Sequence, residues 1–325
     1  MRHGESEFNN ANVFTGWCDV ALTQRGVVEA VEAGQVFSSH QMFFRRCYAS
    51  LLTRSIVTAH RSLEAAGLAH TPIQYDVRFN ERHYGALQGL GKERTAERLG
   101  RDVVMEWRRS YDARPPLMTP DHPHYSIIYN DPRYRRIQDM TLPLGESLAD
   151  CQIRAVAAWN DILDSLVATE SIGSSEAEDG GATLIVAHAN TLRALVMHLD
   201  AIPTTAIESL NIPTAIPFFY DVSLPSGSVV SDKPSGSFRG VYISDDRKKR
   251  NYLERRRAAN DPFLWALYDH QVASSMLVGN NSTEAAPSKK VDAVAEGLAG
   301  IEEEAKRNTQ LYSSIVVASS ENKSN

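Results

Sequence analysis

The sequence predicts an α/β fold of three layers, in which a central, mostly parallel sheet is flanked by helices. Two observations support this prediction. Segments with the apolar pattern of strands alternate with segments of helical spacing from the start of the chain to about residue 250. The run Ala182–Ala187 is almost continuously apolar, which is typical of a parallel strand covered on both faces. We therefore assign residues 1–250 to one layered domain.

Five elements are predicted before residue 115, in the order helix, strand, helix, strand, helix. They cover Thr23–Phe37, Met42–Ser50, Leu52–Ala66, Pro72–Val77 and residues 92–110. Thr23 is a candidate N-cap, because its side-chain oxygen can accept a hydrogen bond from an amide of the first turn. Met42–Ser50 contains two short apolar runs, which favour a buried strand. The helix at residues 92–110 carries a heavily basic face.

A long loop is predicted from Pro115 to Tyr134, where several prolines and turn residues fall. Residues 171–181 are polar and rich in Gly and Ser, so we expect a flexible surface loop there. Apolar residues at helical spacing predict three further helices. These helices cover Leu148–Leu166, Thr191–Leu199 and Thr204–Leu210. With Ala182–Ala187 between them, they complete the layered domain.

The composition changes after about residue 250, so we assign residues 251–325 to a C-terminal extension that is partly helical and partly disordered. Residues 273–290 resemble a polar linker, and Val291–Arg307 has the apolar spacing of an amphipathic helix. The basic runs Arg247–Arg250 and Arg255–Arg257 are flanked by acidic residues. That mixture favours a solvated helix over a nuclear-import or nucleic-acid-binding segment.

The composition also limits the classes of partner and compartment. The formal net charge of -6 gives no general attraction to nucleic acid. No stretch approaches the roughly 18 apolar residues of a membrane span, so we expect no membrane partner. The three cysteines have no close spacing, which argues against a disulfide framework and favours a reducing compartment, the cytoplasm. His122 and His124 lack acidic or cysteine companions at a useful spacing, so no metal site is predicted.

Residues 2–6 read Arg-His-Gly-Glu-Ser and are the most informative short motif. A neutral imidazole such as that of His3 is a good nucleophile toward phosphorus. Arg2 can neutralise the charge of a phosphoryl group with bidentate hydrogen bonds, and Gly4 would let the backbone approach that group closely. Alone, this motif is a weak signal, and an ordinary surface loop is the alternative.

A second histidine strengthens the phosphoryl-transfer interpretation. The segment Leu184–Asn190 places His188 where a buried strand runs into a helix. Ligands of open α/β sheets bind at such carboxyl ends of strands, and a helix N-terminus adds positive potential for phosphate. The alternative for His188 by itself is a hydrogen-bonded histidine of the core.

Several longer motifs, in order along the chain, resemble the histidine phosphatase superfamily and, within it, the 2,3-bisphosphoglycerate-dependent phosphoglycerate mutases. The resemblance runs from Arg2 to about Tyr220. The motifs that carry it are Arg2–Asn9, Phe14–Trp17, Ser50–Arg54, Asn80–Gly89, Trp107–Ser110, Leu142–Leu148 and Leu210–Thr214. The resemblance implies a phosphoglycerate mutase-like sheet and makes residues 1–250 a catalytic domain.

The resemblance also implies roles for individual residues. His3 would be the phosphorylated nucleophile, and Arg2, Arg54 and His188 would hold the phosphoryl group during its transfer. Glu81 would be the general acid and base at the substrate hydroxyl. The substrate-binding residues implied by the same motifs are Asn9, Thr15, Gly16, Arg54, Tyr84, Lys92, Arg108, Arg109, Ala189 and Asn190.

The activity so implied is the interconversion of 3-phosphoglycerate and 2-phosphoglycerate through a phosphohistidine. It is primed by 2,3-bisphosphoglycerate and needs no metal, because arginines supply the positive charge. The implied partners are a small phosphorylated substrate and further copies of the chain in a homodimer or homotetramer. Two alternatives remain open: a phosphohistidine-dependent phosphatase with water as acceptor, and a catalytically impaired relative.

Two positions depart from the pattern. Family members carry a hydrophobic strand directly before the motif at Arg2, whereas only Met1 precedes it here. We therefore expect the first strand to be missing and an upstream segment that includes any targeting signal to be absent. We also expect that the chain folds poorly or leaves His3 loosely held. Ala189 stands where the family usually has Gly, and its methyl group would crowd the phosphate or resist a positive φ.

Overall fold

The fold is described from a computed structural model of the chain. It describes residues 1–243 except 136, 138, 139 and 172–180. Most of the predicted loop at 171–181 lies outside the described residues, and so do the basic runs, the linker and the amphipathic helix of the C-terminal extension. The domain boundary at residue 250 stays a prediction for the same reason.

Three parallel strands form the central sheet. They are β1 (Phe44–Ala49), β2 (Ile73–Tyr75) and β3 (Ala182–Val186), in the order β2-β1-β3. β1 pairs in parallel with both neighbours. Each strand falls within a segment that the sequence predicts as strand, so the mostly parallel sheet is confirmed.

The first residues of the chain lie beside the end of β3. The amide of Ala187 donates to the carbonyl of Met1 at 3.1 Å, and the amide of His3 donates to the carbonyl of Ala187 at 3.0 Å. On the other side, Ala215 donates to the carbonyl of Arg2 at 3.0 Å. The expectation that His3 is loosely held is therefore wrong for this structure, because its backbone segment is hydrogen-bonded on both sides.

The described residues form eight α-helices. Their bounds are α1 (Glu7–Asn10), α2 (Gln24–Ser39), α3 (Thr53–Ala65), α4 (Lys92–Leu99), α5 (Arg101–Arg109), α6 (Tyr125–Tyr129), α7 (Leu148–Ser171) and α8 (Ala189–Asp200). The predicted cap of α2 is confirmed, since the Thr23 hydroxyl accepts from the amide of Gly26 at 3.0 Å. None of these helices combines the length and the apolar character that crossing a membrane would require.

Helices cover both faces of the sheet and give the predicted three layers. Cys47 and Ala49 of β1 share a buried cluster with Ala33 of α2 and Leu63 of α3. The intervening Tyr48 points to the other face, where it joins a buried cluster built from α7 and α8. Because side chains alternate along a strand, each strand contributes to both cores.

Short strands follow α8 and were not predicted. Two antiparallel pairs join β4 (Phe218–Phe219) to β7 (Val241–Tyr242) and β5 (Asp221–Ser223) to β6 (Ser228–Val230). Asp200, the last residue of α8, anchors this segment. Its carboxylate accepts from the Tyr220 hydroxyl at 2.6 Å and from Nε of Arg239 at 3.0 Å.

Three helix and loop predictions need correction. The helix predicted over residues 92–110 is broken between α4 and α5 by Gly100, whose φ of +96° is readily adopted only by glycine. The helix predicted at Thr204–Leu210 shortens to a 3₁₀ turn at Ile207–Ser209, because Leu210 is extended, with ψ 123°, and ends the turn. The predicted loop Pro115–Tyr134 contains the short helix α6.

Candidate functional site

The two histidines singled out in the sequence meet at the carboxyl end of the sheet. His188 follows the end of β3 and is the N-cap residue of α8. His3 follows the residues that pair with Ala187. The centroids of the two imidazole rings are 4.9 Å apart, and both side chains are buried. The fold therefore brings together two histidines that are 185 positions apart in the sequence.

His3 is held as a neutral ring with one nitrogen committed. Its Nδ1 lies 2.6 Å from the carbonyl oxygen of Gly4, a contact that requires Nδ1 to carry the proton. Burial lowers the pKa of His3 well below its usual value, and the charges of Arg54 and Arg2 lower it further. The Nε2 lone pair is therefore the nucleophilic position of this ring.

Gly4 also meets a packing requirement that the sequence did not indicate. A Cβ at Gly4 would lie 2.2 Å from the carbonyl oxygen of Gly26 in α2. Close packing against α2 therefore requires glycine at this position. The Gly4 amide donates to the Thr58 hydroxyl of α3 at 3.0 Å, which also fixes the loop after His3.

The hydrogen bond of His188 to Ser50 occupies Nε2 and leaves Nδ1 as the donor of this ring. Its Nε2 lies 2.7 Å from the hydroxyl of Ser50, the residue after β1, and that oxygen also accepts from the amide of Leu52. We infer that Ser50 donates to Nε2, so that Nδ1 carries the proton. Nδ1 is buried and has no hydrogen-bond partner. Burial is the main cause that lowers the pKa of His188 well below its usual value, and the charge of Arg54 lowers it further.

Two buried arginines act on both rings. Arg54, in the first turn of α3, donates from Nη1 to the carbonyl of Cys18 at 2.9 Å and from Nη2 to that of Gly16 at 2.8 Å. Its Nε is buried without a hydrogen-bond partner. Arg2 donates from Nη1 to the carbonyl of Ile212 at 2.9 Å. The unpaired Nε of Arg54 beside two neutral imidazoles fits a phosphoryl anion.

Glu81 lies at the N-terminus of α8, on the same helix end as His188. Its Oε1 accepts from the amide of Asn190 at 3.2 Å and from that of Arg82 at 2.8 Å. The negative charge of Glu81 favours the charged form of Arg54. The Nε1–H of Trp17 donates to the backbone carbonyl of Glu81 at 2.6 Å. The structure therefore brings Glu81 to the helix end that carries His188, although the two are remote in sequence.

Tyr84 and Asn190 form a linked pair beside this centre. Nδ2 of Asn190 donates to the Tyr84 hydroxyl at 3.2 Å. Burial raises the pKa of Tyr84, but the charge of Arg82, with a contribution from Arg108, outweighs burial and the net shift is downward. Arg193 donates to Oδ1 of Asn190 at 2.9 Å and so fixes the orientation of its amide.

Arg82 belongs to the site, and the sequence reasoning missed it. Its guanidinium carbon lies 4.5 Å from the centroid of the Tyr84 ring. The side chain is fully buried, and its Nε and Nη1 have no hydrogen-bond partner. The available signal was its position next to Glu81 within the motif Asn80–Gly89.

The remaining predicted binding residues lie around this centre at different depths. Arg108 and Arg109 end α5, where Nη1 of Arg109 lies 3.5 Å from the carbonyl of Glu208. Thr15 is buried, and Gly16 has a φ of +49° in the loop that Arg54 holds. Nζ of Lys92 lies 6.0 Å from the centroid of the Phe14 ring. Asn9 uses Oδ1 to accept from the amide of Ser6 in the cap of α1, which leaves its amide nitrogen for other contacts.

The expected backbone conflict at Ala189 is absent, while crowding of the phosphate by its methyl group stays a prediction. His188 is extended, with φ −123° and ψ 166°, and it makes the turn into α8. Ala189 is the first helical residue and is not among the residues with positive φ. The prediction of a backbone that resists alanine is therefore wrong, because the helix needs no glycine at its first position.

His122 and His124 pack against each other with ring centroids 5.8 Å apart, and the amide of His124 donates to Nδ1 of His122 at 3.2 Å. Through residue 243, apart from the gaps given above, no group of three or more His, Cys, Asp or Glu side chains is arranged to hold a metal ion.

Acid is expected to destabilise this protein through buried neutral histidines. Burial lowers the pKa of His3 and His188 and lowers that of His83 to about 3. Below about pH 6.5 the unfolded chain binds protons that the folded site excludes, so the free energy of unfolding falls by about 1.4 kcal/mol per pH unit for each histidine. Urea unfolding across this range in the wild type and in His83→Gln measures the effect. The variant should show the shallower slope, and the exposed His70→Gln should keep the wild-type slope; equal slopes for all three would contradict the assignment.

Comparison with known proteins agrees with this geometry. The model of the histidine phosphatase superfamily (branch 1) matches residues 1–216. The chain is 43% identical over 223 residues to a protein of Nitratidesulfovibrio vulgaris (strain DP4) named 2,3-bisphosphoglycerate-dependent phosphoglycerate mutase, covering 68% of this chain and 84% of the relative. A protein of the same name from Borreliella afzelii (strain PKo) is 38% identical over 254 residues, covering 78% and 94%.

A solved structure named "Mycobacterial hydrolase 1" shares the fold. Its TM-score is 0.50 at 23% identity, and the match covers 74% of this chain and 94% of that one. This likeness concerns the fold alone. The family match spans both histidines, Glu81 and all the strands of the parallel sheet. The chain belongs to branch 1 of the histidine phosphatase superfamily.

Proposed function

We propose that this protein is a 2,3-bisphosphoglycerate-dependent phosphoglycerate mutase, which interconverts 3-phosphoglycerate and 2-phosphoglycerate in glycolysis and gluconeogenesis. The observation that carries the proposal is the pairing of His3 with His188 at the carboxyl end of the sheet, 4.9 Å apart and flanked by Arg2 and Arg54. The names of the two relatives at 38% and 43% identity support a mutase in particular.

In the first half-reaction, the Nε2 lone pair of His3 attacks a phosphorus of 2,3-bisphosphoglycerate. The N–P bond forms as the bond from phosphorus to the glycerate oxygen breaks, and that oxygen takes a proton from Glu81. Arg2, Arg54 and Nδ1–H of His188 stabilise the charge on the transferred phosphoryl oxygens. The bond between Nδ1 of His3 and the Gly4 carbonyl keeps Nε2 free for this attack.

In the second half-reaction, the free 2-hydroxyl of a bound 3-phosphoglycerate attacks the phosphorus on His3 and forms 2,3-bisphosphoglycerate. Glu81 takes the proton of that hydroxyl as the O–P bond forms and the N–P bond breaks. The 2,3-bisphosphoglycerate then returns its 3-phosphoryl group to His3 by the first half-reaction and leaves 2-phosphoglycerate. The same carboxyl group therefore acts as acid in one direction and base in the other. Its position at the N-terminus of α8, bonded to the amide of Asn190, supports this double role.

The substrate carries a carboxylate and a second phosphate that also need positive partners. We propose that Arg108, Arg109, Lys92 and Tyr84 bind these groups, together with Arg82. The buried and unpaired Nε and Nη1 of Arg82 support its inclusion. Further polar contacts are assigned to Asn9, Thr15, Gly16, Ala189 and Asn190. The positive charge of the arginines thus replaces the charge that a metal supplies in other phosphoryl-transfer sites.

One assay separates the proposed mutase from its alternatives. Purified protein is incubated with 3-phosphoglycerate and a trace of 2,3-bisphosphoglycerate, and both 2-phosphoglycerate and free phosphate are measured. We expect isomer formation that depends on the bisphosphoglycerate trace. Release of free phosphate without isomer would identify a phosphatase, in which water is the acceptor. The absence of both products from folded protein would indicate a catalytically impaired relative.

We also propose a cytoplasmic location and a homodimer or homotetramer. The location is supported by the three cysteines, all of which are buried and free. Sedimentation analysis of the purified chain tests the assembly directly. A monomer at micromolar concentration would contradict it.

A further inference from the structure

A buried ion pair lies next to the site and has no part in the mechanism above. Arg154 of α7 contacts Glu146 through two parallel hydrogen bonds, from Nε to Oε1 at 2.7 Å and from Nη2 to Oε2 at 2.8 Å. The two side chains are 8% and 5% exposed. A planar guanidinium meets a carboxylate in this way when a fixed geometry is required.

The pair holds the backbone on both sides of Glu81. Nη1 of Arg154 donates to the carbonyls of Arg78 at 2.8 Å and Asn80 at 2.7 Å, and Nη2 donates to that of Glu81 at 3.0 Å. On the other side of Glu81, Oε2 of Glu146 accepts from the amide of His83 at 2.7 Å. The amide of Glu146 donates back to the His83 carbonyl at 2.8 Å.

The same backbone segment is also tied to α8. The Thr191 hydroxyl donates to the carbonyl of Asn80 at 2.6 Å. Thr191 follows Asn190, whose amide donates to the Glu81 carboxylate. The ion pair, the segment around Glu81 and the helix end that carries His188 therefore form one connected hydrogen-bond network. A buried ion pair is weak support for stability as such, which leaves geometric control as its distinctive contribution.

We propose that Arg154 and Glu146 are positioning residues that set the distance between the Glu81 carboxyl group and the glycerate oxygen that leaves or attacks the transferred phosphorus. The inference rests on the proposed phosphoryl transfer through His3. Its consequence is specific, because only the proton transfer depends on Glu81, whereas the attack by His3 does not. Displacement of a catalytic group by about 1 Å can reduce its contribution by about 100-fold.

The proton transfer by Glu81 and the attack by His3 can be measured separately by changing the leaving group of the phosphate donor. A glycerate oxygen leaves as a basic alkoxide unless Glu81 protonates it, whereas p-nitrophenolate is a stable anion and leaves without a proton donor. Arg154→Lys keeps the positive charge but loses the planar fork. We expect it to lower the rate of His3 phosphorylation by 2,3-bisphosphoglycerate by about 100-fold, and the rate with p-nitrophenyl phosphate by less than about 3-fold. The lower rate with 2,3-bisphosphoglycerate should appear as a lower kcat, with KM little changed.

Two further variants make the test specific. Glu146→Gln removes the charge of the partner and should show the same selective loss, which provides a second readout if Arg154→Lys folds poorly. Arg239→Lys is the matched control, because Arg239 also forms a buried ion pair, with Asp200, at the opposite end of α8. This control should leave the ratio of the two rates unchanged. Circular dichroism and thermal unfolding verify that each variant is folded.

A double-mutant cycle completes the test. If Arg154 acts through Glu81, then Glu81→Gln combined with Arg154→Lys should be no slower with bisphosphoglycerate than Glu81→Gln alone. Equal losses with both phosphate donors, additive losses in the double variant, or the same selective loss in Arg239→Lys would each overturn the inference. The wild type reports separately on the proposed function: if it is phosphorylated by p-nitrophenyl phosphate but makes no 2-phosphoglycerate, the mutase proposal fails. The ratio of the two donor rates then still decides the role of Arg154.

Discussion

His3→Ala is expected to lower the rate of mutase turnover by about 10⁴-fold or more. The variant loses the nucleophile itself, and the neighbouring imidazole of His188 cannot substitute for it, because its Nε2 is bonded to Ser50. Binding of substrate should be nearly unchanged, since the arginines remain. Turnover is measured by coupled assay, and substrate affinity by calorimetry.

The exposed His70→Ala provides the matched control for His3→Ala, and it should keep wild-type turnover within about 2-fold. His3→Ala that keeps even one-tenth of wild-type turnover would show that transfer does not pass through this ring. Loss of turnover together with loss of cooperative unfolding would instead report a folding defect, so thermal unfolding is measured on both variants.

Arg54→Ala is expected to lower turnover by about 100- to 1,000-fold, the usual effect of removing one donor to a charge that develops in the transition state. Its side chain is 1% exposed and its charge acts on both His3 and His188. The loop at Gly16 and Cys18 also loses two hydrogen bonds from Nη2 and Nη1. Single-turnover phosphorylation of His3 by p-nitrophenyl phosphate measures the effect on the attack itself.

The control for Arg54→Ala lies on the same helix. Arg61 is half exposed and pairs with Glu64 at 2.8 Å across one turn of α3, a contact of small energy. Arg61→Ala should therefore keep turnover within about 2-fold. Near-normal single-turnover phosphorylation in Arg54→Ala would remove this arginine from the proposed transfer.

The parallel sheet and the main helices could be predicted from the sequence because their apolar periodicity reflects burial directly. β1 and β3 lie inside predicted strands, and Thr23 caps α2 as its side chain suggested. His188 could be placed at a ligand-binding end of the sheet because a strand-to-helix junction has a defined position in this fold.

Other features depend on contacts between distant segments, which local patterns do not contain. The break at Gly100 looks like an ordinary glycine inside a basic helix until its φ of +96° is seen. Gly4 suggested a phosphate contact, and only the fold shows that the carbonyl of Gly26 leaves no room for a side chain there. Arg154 has the sequence context of a solvated helical arginine, and only the fold places it against Glu146 and the backbone of Glu81.

The most direct test of the account follows phosphate from 2,3-bisphosphoglycerate into the protein. The chain is incubated with the radiolabelled donor, quenched in base, digested and mapped by mass spectrometry. The account predicts an acid-labile, base-stable phosphate on Nε2 of His3, because Nδ1 is bonded to the Gly4 carbonyl. An active preparation that carries no label on His3, or carries it on another residue, would contradict the account.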